Sequence, residues 1–140
     1  MIIYVCAIEE LPNLKKNINV EDGLTGYVTL TTRYYTSTLH LEPHINIKCQ
    51  DVYKYKDGFI NNYQIDALYD FLKTYSMMER LIVMCDAGLS RSPSVAIALY
   101  DYYGNHSKVH RWKEYFRWYN HDMYEVIKNR FKELEKRNKK

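Results

Sequence analysis

Short runs of branched apolar residues occur at two places in the chain, residues 1–8 (MIIYVCAI) and 80–85 (RLIVMC). Such runs are typical of interior strands in a parallel sheet, because both faces of the strand are buried there. Two weaker strand candidates lie between them, at residues 27–35 and 44–49. The pattern therefore predicts a sheet with both apolar runs in its interior.

The helical pattern begins at residues 59–75, where apolar positions recur at the spacing of an amphipathic helix. The segment 93–103 (PSVAIALYDYY) is apolar nearly all round, which predicts a helix through the centre of the domain. For that helix Ser92 is a suitable N-cap, Pro93 suits the first position, and Gly104 suits the end.

Two more helices are predicted around residues 108–119 and 122–136. Strands that alternate with helices, followed by a helical C-terminal half, predict an α/β fold in which helices flank a central, mostly parallel sheet. The chain has 140 residues and no internal repeat, low-complexity tract or linker-like stretch. Residues 1–140 are therefore expected to form a single domain.

The net charge and the cysteine content limit which binding partners and which cellular compartment are expected. The net charge of +3 mildly favours anionic partners but falls short of a nucleic-acid-binding signature. The N-terminal segment lacks the features of a signal peptide, and no apolar run approaches the ~20 residues of a membrane helix. Three widely separated cysteines, Cys6, Cys49 and Cys85, argue against a disulfide framework. We therefore expect a cytoplasmic protein without a membrane partner, in which Cys85 stays a free thiol.

The candidate chemistry lies in residues 80–99 (RLIVMCDAGLSRSPSVAIAL). A buried strand is expected to end at Cys85, and a short loop is expected to lead through Arg91 into a helix. A loop that enters a helix N-terminus points backbone N–H groups inward, and the helix dipole adds positive potential. Gly88 would let the backbone approach a ligand closely. This segment therefore predicts a cradle for a phosphate dianion.

Two side chains would act in that cradle. The planar guanidinium of Arg91 matches two phosphate oxygens in a way that lysine could not. Positive potential also favours the thiolate of Cys85, because the pKa of a cysteine falls at a helix N-terminus or beside a cation. Since these groups supply the positive charge, no metal ion or other cofactor is expected.

The run from Cys85 to Arg91 (CDAGLSR) resembles the signature of protein tyrosine phosphatases, a cysteine and an arginine with five residues between them. The extension over residues 90–93 (SRSP) is most similar to the compact dual-specificity branch. The resemblance is specific over residues 45–103 and looser elsewhere. It implies that Cys85 attacks phosphorus to form a cysteinyl-phosphate intermediate, which water then hydrolyses.

The resemblance also implies the remaining roles. Arg91 stabilises the transition state, and Ser92 helps the sulfur of Cys85 to leave in the second step. Backbone N–H groups of the loop hold the phosphate oxygens, and the residues concerned are Asp86, Ala87, Gly88, Leu89, Ser90 and Arg91.

The family uses an aspartate on an earlier loop as the general acid. Asp51, at the end of the run 47–51 (IKCQD), resembles that position and is the first choice, with Asp57 as the alternative. Either residue must be protonated and within hydrogen-bond distance of the leaving oxygen.

The two residues on either side of Cys85, Met84 and Asp86, affect the chemistry that the resemblance implies. Met84 stands where the family usually has a histidine that favours the thiolate, so catalysis is expected to be slower. Asp86 places a carboxylate next to the nucleophile. We expect its side chain to face solvent, where it could favour substrates with basic flanks.

Three functions are compatible with these residues. The first is a monomeric dual-specificity-type protein phosphatase that acts on phosphorylated protein, on phosphotyrosine and, in a shallow pocket, on phosphoserine or phosphothreonine. The second is an RNA 5′-phosphatase with the same loop, to which the basic tail 128–140 would contribute. The third is a phosphate-binding module without turnover.

Overall fold

Within the described residues, four parallel strands form one central sheet. The computed structural model describes residues 1–18, 24–32 and 40–139. The strands lie in the order β1-β4-β2-β3, and their bounds are Ile2–Ala7 (β1), Thr25–Thr31 (β2), His44–Lys48 (β3) and Arg80–Cys85 (β4). The sheet is parallel throughout, and the predicted α/β fold with flanking helices is confirmed.

Helices follow the strands and dominate the C-terminal half, as the sequence predicts. A short 3-10 helix (Ile8–Glu10) precedes the first α-helix. The α-helices are α1 (Leu11–Asn17), α2 (Asn62–Thr74), α3 (Arg91–Tyr102), α4 (His106–Tyr115) and α5 (His121–Asn138). Among the described residues, no helix is both long enough and apolar enough to cross a membrane.

Strand β4 occupies the interior of the sheet, as its apolar run predicts. It pairs with β1 on one side and β2 on the other, and Cys85 lies in register with Ala7 and Leu30. Strand β1, in contrast, lies at an edge and is only partly buried, so its predicted interior position is wrong. Branched apolar residues favour a strand there, but they do not determine which neighbour it receives.

The second interior strand is β2, which the sequence indicates only weakly. All of its residues are buried, although three of them are threonines. The hydroxyl of Thr29 lies within hydrogen-bond distance of His44 and Asn46 on β3, and the hydroxyl of Thr31 donates to Asn46. Because the hydroxyls of Thr29 and Thr31 are paired, burying them costs little, whereas the buried hydroxyl of Thr25 has no hydrogen-bond partner among the described residues. The strand predicted at 27–35 begins at Thr25, and residues 33–35 of that prediction lie outside the described residues.

Helix α3 passes through the centre of the domain, as expected. It is buried from Arg91 to Tyr100 and packs against the sheet, α4 and α5. The helix begins two residues earlier than predicted, so Ser92 lies inside its first turn and Ser90 is the N-cap residue. Gly104, with a φ of +76°, follows its end as predicted.

The remaining boundaries differ from the predictions by a few residues. Helix α2 begins at Asn62 because Asn61 and Gln64 form a capping box, in which each side chain bonds the backbone N–H of the other. Helix α4 ends four residues before the predicted position, and α5 extends to Asn138. The largest buried side chains of α5 include Met123, Ile127 and Phe131, which pack in the main core.

Candidate active site

Cys85 is the last residue of β4, at the carboxyl end of the parallel sheet. Its side chain belongs to the main core and is only 2% exposed. Met84 points to the opposite face of the sheet, where it packs with Ile8, Leu11 and Ile82. Strand alternation therefore directs Met84 into a second apolar cluster and leaves Cys85 at the mouth of the loop.

The loop after Cys85 curls around the sulfur. The backbone N–H of Gly88 donates a hydrogen bond to Cys85 Sγ at 3.1 Å. Ser92 Oγ lies 3.1 Å from the same sulfur, and Ser92 is completely buried. These are the contacts expected of a loop that stabilises a thiolate, because both can direct a hydrogen towards the sulfur.

Gly88 is required by the shape of this loop. Its φ is +72°, a region that side chains rarely adopt. A Cβ atom at this position would lie 2.6 Å from the backbone nitrogen of Ala7, on the neighbouring strand β1. The loop therefore packs directly against the end of β1, and only glycine allows this close approach.

Arg91 is the first residue of α3, and its guanidinium is held on two sides. Nη1 donates to the carbonyl oxygen of Cys49 at 2.8 Å, and Nη2 donates to Asp86 Oδ2 at 2.6 Å. The residue is only 7% exposed. The guanidinium is therefore fixed beside the loop before any ligand arrives.

The expectation that Asp86 faces solvent is wrong. Its side chain is 20% exposed, forms an ion pair with Arg91 and also accepts a hydrogen bond from Thr32 Oγ1 at 3.3 Å. The carboxylate turns inward because a nearly buried guanidinium offers a charged hydrogen-bond partner. A preference for basic flanking residues through Asp86 therefore loses its structural basis.

Asp51 lies at the rim of the loop. Its Oδ1 accepts hydrogen bonds from Ser90 Oγ at 2.8 Å and from Asn120 Nδ2 at 2.9 Å. The alternative acid, Asp57, is exposed, and within the described residues no hydrogen bond or ion pair joins it to the loop. The structure therefore brings Asp51, and not Asp57, together with the residues around Cys85.

Asn120 is a site residue that the sequence analysis missed. It is the N-cap of α5, where its Oδ1 accepts from the backbone N–H of Met123 at 3.0 Å. Its Nδ2 also donates to the carbonyl oxygen of Val52 at 3.0 Å, next to the bond with Asp51. An asparagine just before the apolar pattern of α5 is a recognisable N-cap signal, but that signal does not reveal its contact with Asp51.

Ser94 was also missed and connects α3 to α5. Its Oγ donates to the carbonyl oxygen of Ser90 at 2.6 Å and accepts from the backbone N–H of Asn120 at 2.6 Å. The side chain is fully buried, so both bonds form away from water. The end of the loop and the beginning of α5 are thereby fixed to each other.

Two other thiols, those of Cys6 and Cys49, interact electrostatically with Cys85. Burial, with smaller contributions from the negative charges of Cys85 and Glu10, raises the pKa of Cys6 to about 12. Burial also raises the pKa of Cys49 to about 12, although the positive charge of Arg91 acts in the opposite direction. Both thiols are therefore protonated at neutral pH, and all three cysteines are free.

The residues around Cys85 form one chemical unit. A buried sulfur, an inward N–H group and a fixed guanidinium can receive a tetrahedral dianion, and a carboxyl at the rim can exchange a proton with it.

Among the described residues, no group of three or more histidine, cysteine or acidic side chains could hold a metal ion. No protein-family model matches the chain, and no curated protein matches it either.

Proposed function

We propose that the chain is a phosphomonoester hydrolase of the dual-specificity protein phosphatase type, with Cys85 as nucleophile. The observation that carries the proposal is the pair of contacts on Cys85 Sγ, from the Gly88 N–H and the Ser92 hydroxyl, at the N-terminus of α3. A sulfur in this position is surrounded by groups that favour its anionic form and that favour a phosphate in front of it.

In the first step, the thiolate of Cys85 forms a bond to phosphorus while the bond from phosphorus to the leaving oxygen breaks. Asp51 gives its proton to that oxygen, which leaves as an alcohol or phenol. Arg91 and the loop N–H groups offset the negative charge on the other phosphate oxygens. For this step, the phosphate replaces Asp86 as the partner of Arg91 Nη2.

In the second step, water attacks the cysteinyl phosphate and gives a proton to the carboxylate of Asp51. The bond between sulfur and phosphorus breaks, and the electron pair returns to Cys85 Sγ. The Ser92 hydroxyl, 3.1 Å from the sulfur, donates a hydrogen bond to the returning charge. Inorganic phosphate leaves, and the thiolate and the acid are restored.

A metal-free assay on a small aryl phosphate, with reduced protein at pH 5–8, tests this proposal. Turnover should disappear in Cys85→Ser, and Asp51→Asn should lower kcat by about 10²–10⁴. In Asp51→Asn, the decline of kcat at high pH should also vanish, whereas Asp57→Asn should keep the wild-type profile. Phosphate binding without turnover at any pH would instead identify a binding module.

The RNA 5′-phosphatase hypothesis has one observation of its own. A cavity of about 560 Å³ lies at the far ends of α3 and α5, and it is lined by five lysines together with Asp101, Tyr102, Tyr103 and Glu135; the lysines are Lys73, Lys128, Lys132, Lys136 and Lys139. Release of a 5′ phosphate from RNA, with affinity that falls steeply with salt, would favour this second function.

A further inference from the structure

A cavity of about 460 Å³ opens beside the loop rim. Asp51 and Ser90, which are hydrogen-bonded to each other at the rim, line one side of it. Residues 117–122, which connect α4 to α5 and begin α5, line another. Because the cavity and the loop share these rim residues, the part of a substrate that flanks its phosphate would lie against the cavity.

Arg117 is the available positive charge in this cavity. It is exposed, and within residues 1–18, 24–32 and 40–139 it has no hydrogen-bond or ion-pair partner. The two carboxylates that line the cavity are both engaged. Asp51 accepts from Ser90 and Asn120, and Asp122 Oδ2 accepts from the backbone N–H of Lys54 at 2.9 Å. The guanidinium is therefore free to bind an incoming anionic group.

Two aromatic side chains of the cavity are largely exposed. Trp118 is 81% exposed and Tyr53 is 76% exposed, and both line the same cavity. Large exposed apolar groups beside a concave surface are typical of a binding site. The cavity thus combines one unpaired cation with aromatic surface.

We infer, on the basis of the phosphatase function proposed above, that this cavity is a subsite for the peptide segment flanking the phosphorylated residue. An acidic side chain of the substrate binds Arg117, and an apolar or aromatic side chain packs on Trp118. The expected preference for basic flanks through Asp86 is thereby replaced by a preference for acidic flanks through Arg117.

The charges of the cavity favour a peptide over a nucleic acid. Asp51 and Asp122 line it together with a single arginine. A nucleic-acid strand carries a negative charge on each nucleotide, so its further phosphates would meet these two carboxylates. A peptide with one acidic side chain needs only the one cation that the cavity offers.

The test uses phosphotyrosine peptides that differ at one flanking position, which carries Glu, Gln or Lys, scanned on both sides of the phosphotyrosine. In the wild type, kcat/KM should be about two- to fivefold higher with Glu than with Gln, as expected of an exposed ion pair, and lowest with Lys. In Arg117→Glu the order of the Glu and Lys peptides should invert. Arg111→Glu, which alters an exposed arginine of α4 outside this cavity, should keep the wild-type order.

The contribution of Trp118 is tested with a second pair of peptides, which carry Leu or Ser at a flanking position. Trp118→Ala should abolish the preference for Leu. Each comparison is a ratio within one variant, so differences in the folded fraction cancel. The same ratios are measured as Kd values of labelled peptides on Cys85→Ser, which does not depend on turnover.

The outcomes separate the inference from the function on which it rests. If the wild type hydrolyses an aryl phosphate but Arg117→Glu leaves the Glu-to-Lys ratio unchanged, the subsite assignment is wrong and the phosphatase function stands. If no aryl phosphate is hydrolysed, the function fails, and the binding ratios on Cys85→Ser still decide the subsite. A 5′-phosphorylated oligonucleotide that is hydrolysed with a higher kcat/KM than every peptide would overturn the peptide assignment.

Discussion

Asp86 Oδ2 lies 2.6 Å from Arg91 Nη2, so a carboxylate of the loop already occupies one edge of the guanidinium proposed to bind phosphate. A phosphate dianion that binds Arg91 through Nη2 would therefore compete with Asp86 for that nitrogen. The energy of this ion pair opposes substrate binding. We expect the pair to raise KM and to have a smaller effect on the chemical step.

Asp86→Asn should lower KM for an aryl phosphate about fivefold, because an amide binds the guanidinium less tightly than a carboxylate does. The Ki of inorganic phosphate as a competitive inhibitor should fall by a similar factor. Steady-state kinetics at fixed ionic strength measure both. Asp66→Asn is the matched control, since Asp66 pairs with Arg130 through two hydrogen bonds at another place in the fold. A higher KM in Asp86→Asn would mean that Asp86 orients Arg91 for the substrate.

Asn120 is proposed as a positioning residue, and its two functions can be separated. Asn120→Ser keeps a good N-cap for α5 but removes the Nδ2 donor to Asp51 and Val52. We expect kcat on an aryl phosphate to fall about tenfold or more, because the acid is no longer held in place. Stability to urea should remain close to the wild type, whereas Asn120→Ala should lose about 1 kcal/mol as well as activity. Equal losses of stability in both variants would assign Asn120 a purely structural role.

Two glycines with similar backbone angles should respond differently to alanine. Gly88 and Gly104 have φ values of +72° and +76°, but only at Gly88 would a Cβ atom meet neighbouring backbone. Gly104→Ala should cost about 1 kcal/mol of stability, the penalty of left-handed backbone, and leave kcat/KM unchanged. Gly88→Ala should cost more and abolish turnover, because the loop must move away from Ala7. Retained turnover in Gly88→Ala would show that the loop tolerates a different shape.

Glu135, which lies far from the candidate active site, should make the free energy of unfolding depend on pH. Hydrogen bonds from Lys73, Tyr102 and Tyr69 lower its pKa from 4.5 to about 2. The ionised form therefore stabilises the fold fully above pH 4.5, and this contribution is lost as the pH falls towards 2. The difference in free energy of unfolding between wild type and Glu135→Gln should be largest near pH 7 and should shrink between pH 4.5 and 2.

Urea unfolding at several pH values measures that difference. Glu133→Gln is the matched control, because Glu133 lies on the same helix and its half-exposed carboxylate pairs with Arg130 and Arg137. Its effect on stability should be small at each pH. If the free energy of unfolding of Glu135→Gln differed from that of the wild type by the same amount at every pH, the role assigned to the hydrogen bonds of Glu135 would be contradicted.

The sequence predicts those features that depend on local pattern. The apolar run of β4, the all-round apolar α3 and Gly104 after it are consecutive in the chain, and they define the strand, loop and helix around Cys85. The order of the strands in the sheet is harder to predict from the sequence. Nothing in the run at residues 1–8 shows that, among the described strands, β1 pairs with β4 alone. The three threonines of β2 make an interior strand hard to recognise in the sequence.

The errors in the candidate site have a common cause. The expectation that Asp86 faces solvent rests on the repulsion between an inward carboxylate and a phosphate, yet Arg91 lies across the loop and binds that carboxylate. Asn120 and Ser94 were missed because each acts through a bond to a distant segment. Sequence spacing reveals groups on one element, whereas these contacts depend on how the elements pack.

The bonds that fix α5 to the loop have a consequence for a shortened chain. A version that ended with α4 would lose Met123, Ile127 and Phe131 from the main core, so the fold around Cys85 and Arg91 would lose support as well. It would lose Asn120, and with it both the support of Asp51 and the partner of Ser94. The proposed hydrolase activity therefore depends on a helix that contributes no residue to the loop between Cys85 and Arg91.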